Sequence, residues 1–271
     1  MKIFKWFYGF LVASQLSFFL NLTRGSTATC LDVKRKSTDQ LIFETAYSEQ
    51  FKAVPYHFLV GLYFLFADFC CTIAWCFNDL FIVCIAIMLH RDFELFNERI
   101  ALNLSNKSST FWNEHFILFK KLCHHVSTTN KLLGCSILLS FGLNLYFICF
   151  NLLLNFNISV RNLESVIPWM ALIVLCSRTL AVCFFSSKIN DESLKTARIL
   201  HETSCGSNLS EIKAFQNFLS SNKIALSGMG LFTMTKQIIL TLSGTIVTYE
   251  LVLVQFYDRE IKAGNLTTCT T

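Results

Sequence analysis

Apolar residues come in five long runs, separated by stretches that carry most of the charge. The first, residues 6–22, is close to the shortest length that crosses a hydrocarbon core of roughly 30 Å. Lys2 and Lys5 precede it and the small residues Ser26 and Ala28 follow, so a cleaved leader stays open beside a membrane span. The second run, 58–89, holds two charges, Asp68 and Asp79, and no Gly or Pro after Gly61. That pattern predicts one long helix, which outruns the membrane and must tilt or protrude. Run 132–154 has no charge, run 166–185 has only Arg178, and run 237–256 has only Glu250. Pro55 and Pro168 stand near the starts of two runs, where the first helical turn has no use for their missing N–H.

The pattern predicts an all-α, polytopic membrane protein with five spans. The intervening regions 90–131 and 186–236 keep apolar residues at helical spacing, such as Phe93, Phe96 and Ile100. They read as helical extensions that pack together. Lys and Arg placement orients the chain: 14 fall on the side of the N-terminus and these two regions, and 8 on the other. Positive charge favours the cytoplasm, so the N-terminus and both anchor regions are expected inside and the C-terminus outside. The Asn-X-Ser/Thr sequons do not discriminate. Asn21, Asn157 and Asn265 fall outside or at the border, and Asn103, Asn106 and Asn208 inside.

Composition agrees with a lipid solvent. The chain is 53% hydrophobic and 15% charged, with a mean hydropathy of +0.49. Soluble domains carry about 25% charged residues. The net charge of +5 comes without a basic, aromatic-interleaved run, so no nucleic-acid partner is expected. Most of the 12 cysteines lie inside the apolar runs, where they pack as small hydrophobes. Cys30 and Cys269 fall on the outer side, and a bridge between them stays open. Cys123-His124-His125 lacks further ligands at metal spacing, and there is no phosphate loop or nucleophile elbow. No metal, cofactor or enzymatic activity is expected.

Polar residues inside the runs are costly and therefore informative. Asp68, Thr72, Trp75 and Asp79 follow i, i+4, i+7, i+11 and share one helix face. A carboxylate, a hydroxyl and an indole are what a sugar site uses, which makes Asp68, Thr72 and Trp75 candidate ligand-binding residues. For Asp68, a structural hydrogen bond is the alternative. Asp79 and Arg178 lie at matched depth, which favours an interhelical ion pair over ligand contact. On the last run, Thr241, Thr245, Thr248, Val252 and Gln255 form a second stripe. By itself such a stripe packs against helices more often than it lines water. Glu250 projects on the other side.

Thr248-Tyr249, five residues, then Gln255-Phe256 resembles the terminal signature of insect gustatory receptors. Gly244-Thr245-Ile246-Val247, Ala225-Leu226-Ser227-Gly228-Met229, Leu145-Tyr146-Phe147-Ile148-Cys149 and Arg178-Thr179-Leu180-Ala181-Val182 resemble its sugar-taste branch, the trehalose and sugar receptors. Ser186-Ser187, Asp191-Glu192-Ser193 and Trp75, Phe77, Asp79-Leu80-Phe81 do likewise, although Cys76 replaces the usual Asn. The resemblance implies seven helices with a cytoplasmic N-terminus. Residues 6–22 then correspond to the third helix, the first two are missing, and the chain is expected to be a partial gene model or a short isoform.

The resemblance further implies a ligand-gated cation channel in the plasma membrane of gustatory receptor neurons. Its expected partners are a sugar ligand, membrane lipid and other gustatory receptors in a homo- or hetero-tetramer. The last helix would line the pore, making Thr241, Thr245, Thr248, Val252 and Gln255 pore-lining, with the constriction at Val252 and Gln255. The outer half of each bundle would hold the tastant. A G-protein-coupled type of receptor would place the N-terminus outside, against the charge bias. A transporter would show repeated halves and Gly/Pro-broken helices, and neither is visible.

Overall fold

The computed structural model describes residues 40, 43, 44, 46–103, 108–156, 166–204 and 210–267. Among them, α1 is Ser48–Ala53, α2 Phe58–Leu102, α3 Ser109–Phe156, α4 Val166–Ser204, α5 Ser210–Ser221 and α6 Lys236–Thr267. Two short strands, β1 (Ser227–Gly228) and β2 (Phe232–Thr233), pair antiparallel with Gly228 opposite Phe232. Apart from this hairpin the described residues are mostly helical, as expected. Gly230, at φ 75°, and Met229, at φ 51°, make the hairpin turn in a conformation that cannot continue a helix.

Three described helices are long and apolar enough to cross a membrane: Phe58–Leu102, Ser109–Leu152 and Trp169–Glu202. They run well past the expected borders of the apolar runs, into the regions between them. Run 6–22 lies outside the described residues. Run 237–256 is helical within α6, where the side chains of Glu250, Leu253, Val254 and Phe256 lie outside the described ones.

The chain forms two compact units. The described part of the first comprises residues up to Asn78, then Asn144–Arg178, then α6 from Val247 onward. Here the segment before and through α1 covers the start of α2 with aromatic rings. Tyr47 and Phe51 each lie 5.6 Å from Phe64, and Phe43 lies 6.0 Å from Phe58. Gly61 permits this approach, because a Cβ there would meet the Phe43 ring at 2.7 Å. Along α2, Leu59, Leu62, Phe66, Phe69, Ile73 and Phe77 form a continuous exposed apolar stripe, as a lipid-facing surface requires.

The second unit is Asp79–Leu143 with Thr179–Ile246. Its centre is aromatic: Phe119 lies 5.8 Å from Phe93, 5.3 Å from Phe96 and 5.0 Å from Phe215. Phe93, Phe96 and Ile100 are buried, so the helical spacing of the region after the second run does build a core. The amphipathic α5 closes it by burying Ile212 and Phe215. Ser109 donates to Glu211 at 2.7 Å and ties the starts of α3 and α5. That bond, with a backbone N–H and Ser210, holds the Glu211 carboxyl below its usual range. A buried amide joins α2 to α4: Asn97 Nδ2 donates to the Glu192 carbonyl at 2.9 Å and to its carboxylate at 2.8 Å, and Thr196 donates to Asn97 Oδ1 at 2.6 Å. Both ends of the Asn97 amide face protein, which makes it a fixed point between the helices.

Candidate functional site

The face predicted on α2 turns away from the exposed stripe. Asp68, Thr72 and Trp75 are half-buried, and Asp79 is fully buried. Their settings differ. Asp68 accepts a hydrogen bond from the Tyr47 hydroxyl at 3.0 Å. Burial, together with that bond, raises the Tyr47 phenol above its usual range. Thr72 spends its hydroxyl on its own helix, donating to the Asp68 carbonyl at 2.9 Å.

Trp75 belongs to a cavity of about 110 Å3 in the first unit, lined also by Phe147, Asn151, Ala171, Val174, Leu175 and Arg178. The indole packs 4.8 Å from Phe147, and the Arg178 guanidinium stands 4.0 Å above the indole ring. Arg178 also donates to Asn144 Oδ1 at 2.8 Å and to the Cys76 sulfur at 3.1 Å. Asn151 gives its amide N–H to the Phe147 carbonyl at 2.7 Å, which leaves its oxygen as an acceptor. Trp75 Nε1 is buried without a hydrogen-bond partner among the described residues. A buried donor of that kind can give a hydrogen bond to water or a ligand.

The cavity thus combines an indole N–H, an amide oxygen and a guanidinium with apolar walls. Such a set can hold hydroxyl groups against an aromatic surface. It falls below the roughly 300–1,000 Å3 of a pocket that encloses a drug-sized ligand. Of the three candidate ligand residues, the structure brings Trp75 to the cavity and ties Asp68 to Tyr47. Tyr47, Asn144 and Asn151 were not singled out from the sequence, and Phe147 only within the motif Leu145–Cys149. Asn144 and Asn151 stand seven residues apart in a mostly apolar run, and that signal was legible.

In the second unit Asp79 is buried and accepts from Ser140.

On α6 the second stripe is exposed throughout: Thr241, Thr245, Thr248, Val252 and Gln255. Thr241 and Thr245 bond back to the carbonyls of Gln237 and Thr241, at 3.2 and 2.9 Å. The buried Leu242 marks the packed face, about a quarter-turn away. Leu240, Val247 and Leu251 expose an apolar face on the other flank. Tyr249 of the terminal signature is half-buried; the Phe256 side chain lies outside the described ones.

The insect olfactory receptor OR5 from Machilis hrabei, solved in complex with eugenol, shares this fold. The TM-score is 0.65 at 14% identity, covering 94% of this chain and 68% of that one. The chain is a multi-pass helical membrane protein of that fold. A family model described as Trehalose receptor matches residues 11–269, and the chain belongs to that family. The Drosophila melanogaster gustatory receptor for sugar taste 64f is 33% identical over 224 residues, 82% of this chain and 46% of that protein. The same fly's gustatory receptor 5a for trehalose is 29% identical over 188 residues, 69% of this chain and 42% of that protein. The chain spans about half the length of the curated relatives it matches.

Proposed function

We propose that the chain is a subunit of a sugar-gated, poorly selective cation channel in the plasma membrane of gustatory receptor neurons. The observation that carries this reading is the exposed stripe of Thr241, Thr245, Thr248, Val252 and Gln255 on α6. Thr241 and Thr245 bond back to their own helix, yet the whole stripe is exposed among the described residues, and a polar stripe on a membrane helix faces other helices or water. A homo- or hetero-tetramer with related receptors supplies both by closing four such faces around an aqueous path. The sugar-taste and trehalose relatives support the ligand class.

In this reading five spans cross the membrane with the N-terminus inside. Trp75, Asn151 and Arg178 contact sugar hydroxyls, and Asp68 and Thr72 extend the same face of α2. Whole-cell current from cells expressing the chain, alone and with related receptors, tests the proposal against a panel of sugars. Sugar-evoked cation current in at least one combination is expected. Surface-expressed protein that never conducts would contradict it.

A further inference from the structure

The segment that joins α5 to α6, residues 222–235, is not helical, yet its first part is deeply buried. Ile224, Ala225 and Leu226 are 5%, 4% and 1% exposed. Buried irregular backbone has no ladder to satisfy its N–H and C=O groups, so other partners must be provided. Here they are side-chain amides from two helices. Asn130 on α3 acts as a fork: Nδ2 donates to the Ala225 carbonyl at 3.0 Å, and Oδ1 accepts the Ser227 N–H at 2.9 Å. Asn190 on α4 donates to the Ile224 carbonyl at 3.2 Å. The next residue on α4, Asp191, pairs at 2.9 Å with Lys236, the first residue of α6.

The hairpin that follows is held just as closely. Met234 N donates to the Leu226 carbonyl at 2.7 Å, and Met234 is fully buried. One turn along α3 from Asn130, Gly134 lets the hairpin turn approach; a Cβ there would stand 3.1 Å from the Met229 nitrogen. The chain entering α6 is therefore pinned to α3 and α4 from Ile224 to Lys236. The Asp191–Lys236 pair is largely exposed and contributes little by itself. The amides are the strong points.

We propose that Asn130 and Asn190 are positioning residues that latch this strap and so fix where α6 begins. A shift of α3 or α4 is then passed to α6 as a displacement instead of being absorbed by a slack loop. The inference rests on the reading of α6 as the pore helix. Asn130 carries the larger share, because it satisfies both a carbonyl and an N–H.

Amide hydrogen exchange on the purified chain in phospholipid nanodiscs tests the latch directly. In Asn130→Leu the Ser227 amide is expected to exchange faster by on the order of tenfold, while the α3 and α4 amides keep their protection. Asn130→Asp keeps the acceptor oxygen and is expected to keep Ser227 protected. Unchanged exchange at Ser227 in Asn130→Leu, or equal loss in both variants, would overturn the latch. In cells, Asn130→Leu and Asn190→Leu are expected to lower maximal sugar-evoked current per surface receptor by about tenfold, with the half-maximal sugar concentration nearly unchanged. A shifted half-maximal concentration at full maximal current would overturn the coupling role. If the unaltered chain shows no sugar current in any combination, the sugar-channel reading fails, and the exchange result alone decides the latch.

Discussion

Arg178 stacks its guanidinium 4.0 Å from the centroid of the Trp75 ring while donating to Asn144 at 2.8 Å. An indole face and an amide oxygen thus share in stabilising a charge that is 3% exposed. Arg178→Lys keeps the charge but loses the planar stack and the fork of donors. Surface density near the unaltered level is expected, with a sugar response weakened several-fold. Arg178→Ala strips the buried network of its cation and is expected to cost on the order of 3–5 kcal/mol, read as lost surface protein. Surface biotinylation beside dose–response curves checks both; equal behaviour of the two variants would contradict the stacking argument.

The Cys76 sulfur receives an Arg178 N–H at 3.1 Å. A thiol is a weak acceptor and an amide oxygen a strong one. Cys76→Asn is therefore expected to hold Arg178 more firmly and to shift the half-maximal sugar concentration by roughly twofold to tenfold, at unchanged surface density. An identical dose–response curve would mean that this contact has no part in ligand response.

Asp68 and Tyr47 form a pair outside the Trp75 cavity, with the phenol as the donor. Asp68→Ala is expected to weaken the sugar response without removing the protein from the surface. Tyr47→Phe removes one hydroxyl, worth about 1 kcal/mol, and is expected to act in the same direction but less strongly. If Tyr47→Phe weakens the response and Asp68→Ala does not, the carboxylate is no ligand contact. Asp79→Ala, at a fully buried position, is expected instead to reduce surface expression.

The orientation rests on the distribution of Lys and Arg. Glycosylation in microsomes is expected at Asn157 and Asn265, and none at Asn103, Asn106 or Asn208. A glycan on Asn208 would invert the topology.

Several features of the fold were readable because they follow one residue at a time. A run without Gly or Pro after Gly61 predicted the unbroken α2, and Phe93, Phe96 and Ile100 at helical spacing predicted helical extensions that pack together. The face Asp68–Thr72–Trp75 follows from the 100° turn of a helix. What escaped the sequence depends on long-range packing. Tyr47 meets Asp68 across 21 residues and Asn97 meets Glu192 across 95, and no local periodicity marks either pair. The hairpin escaped because two-residue strands carry no alternation; Gly228 and Gly230 around Met229 were its only sign.

In the proposed channel α6 lines an ion path through Val252 and Gln255. The two stand three residues apart, so they point the same way at adjacent levels, and a valine ring can close a narrow pore by dewetting. Val252→Ser is expected to raise current in the absence of sugar by wetting the closed gate. The most direct measurement is the reversal potential under a cation gradient, compared between Gln255→Lys and Glu250→Lys at matched surface density. Gln255→Lys is expected to suppress cation flow and to move the reversal potential away from the cation equilibrium while sugar binding survives. Glu250→Lys, on the opposite helical register, leaves the reversal potential in place. A reversal potential that moves with Glu250 and not with Gln255 would contradict the assigned pore face.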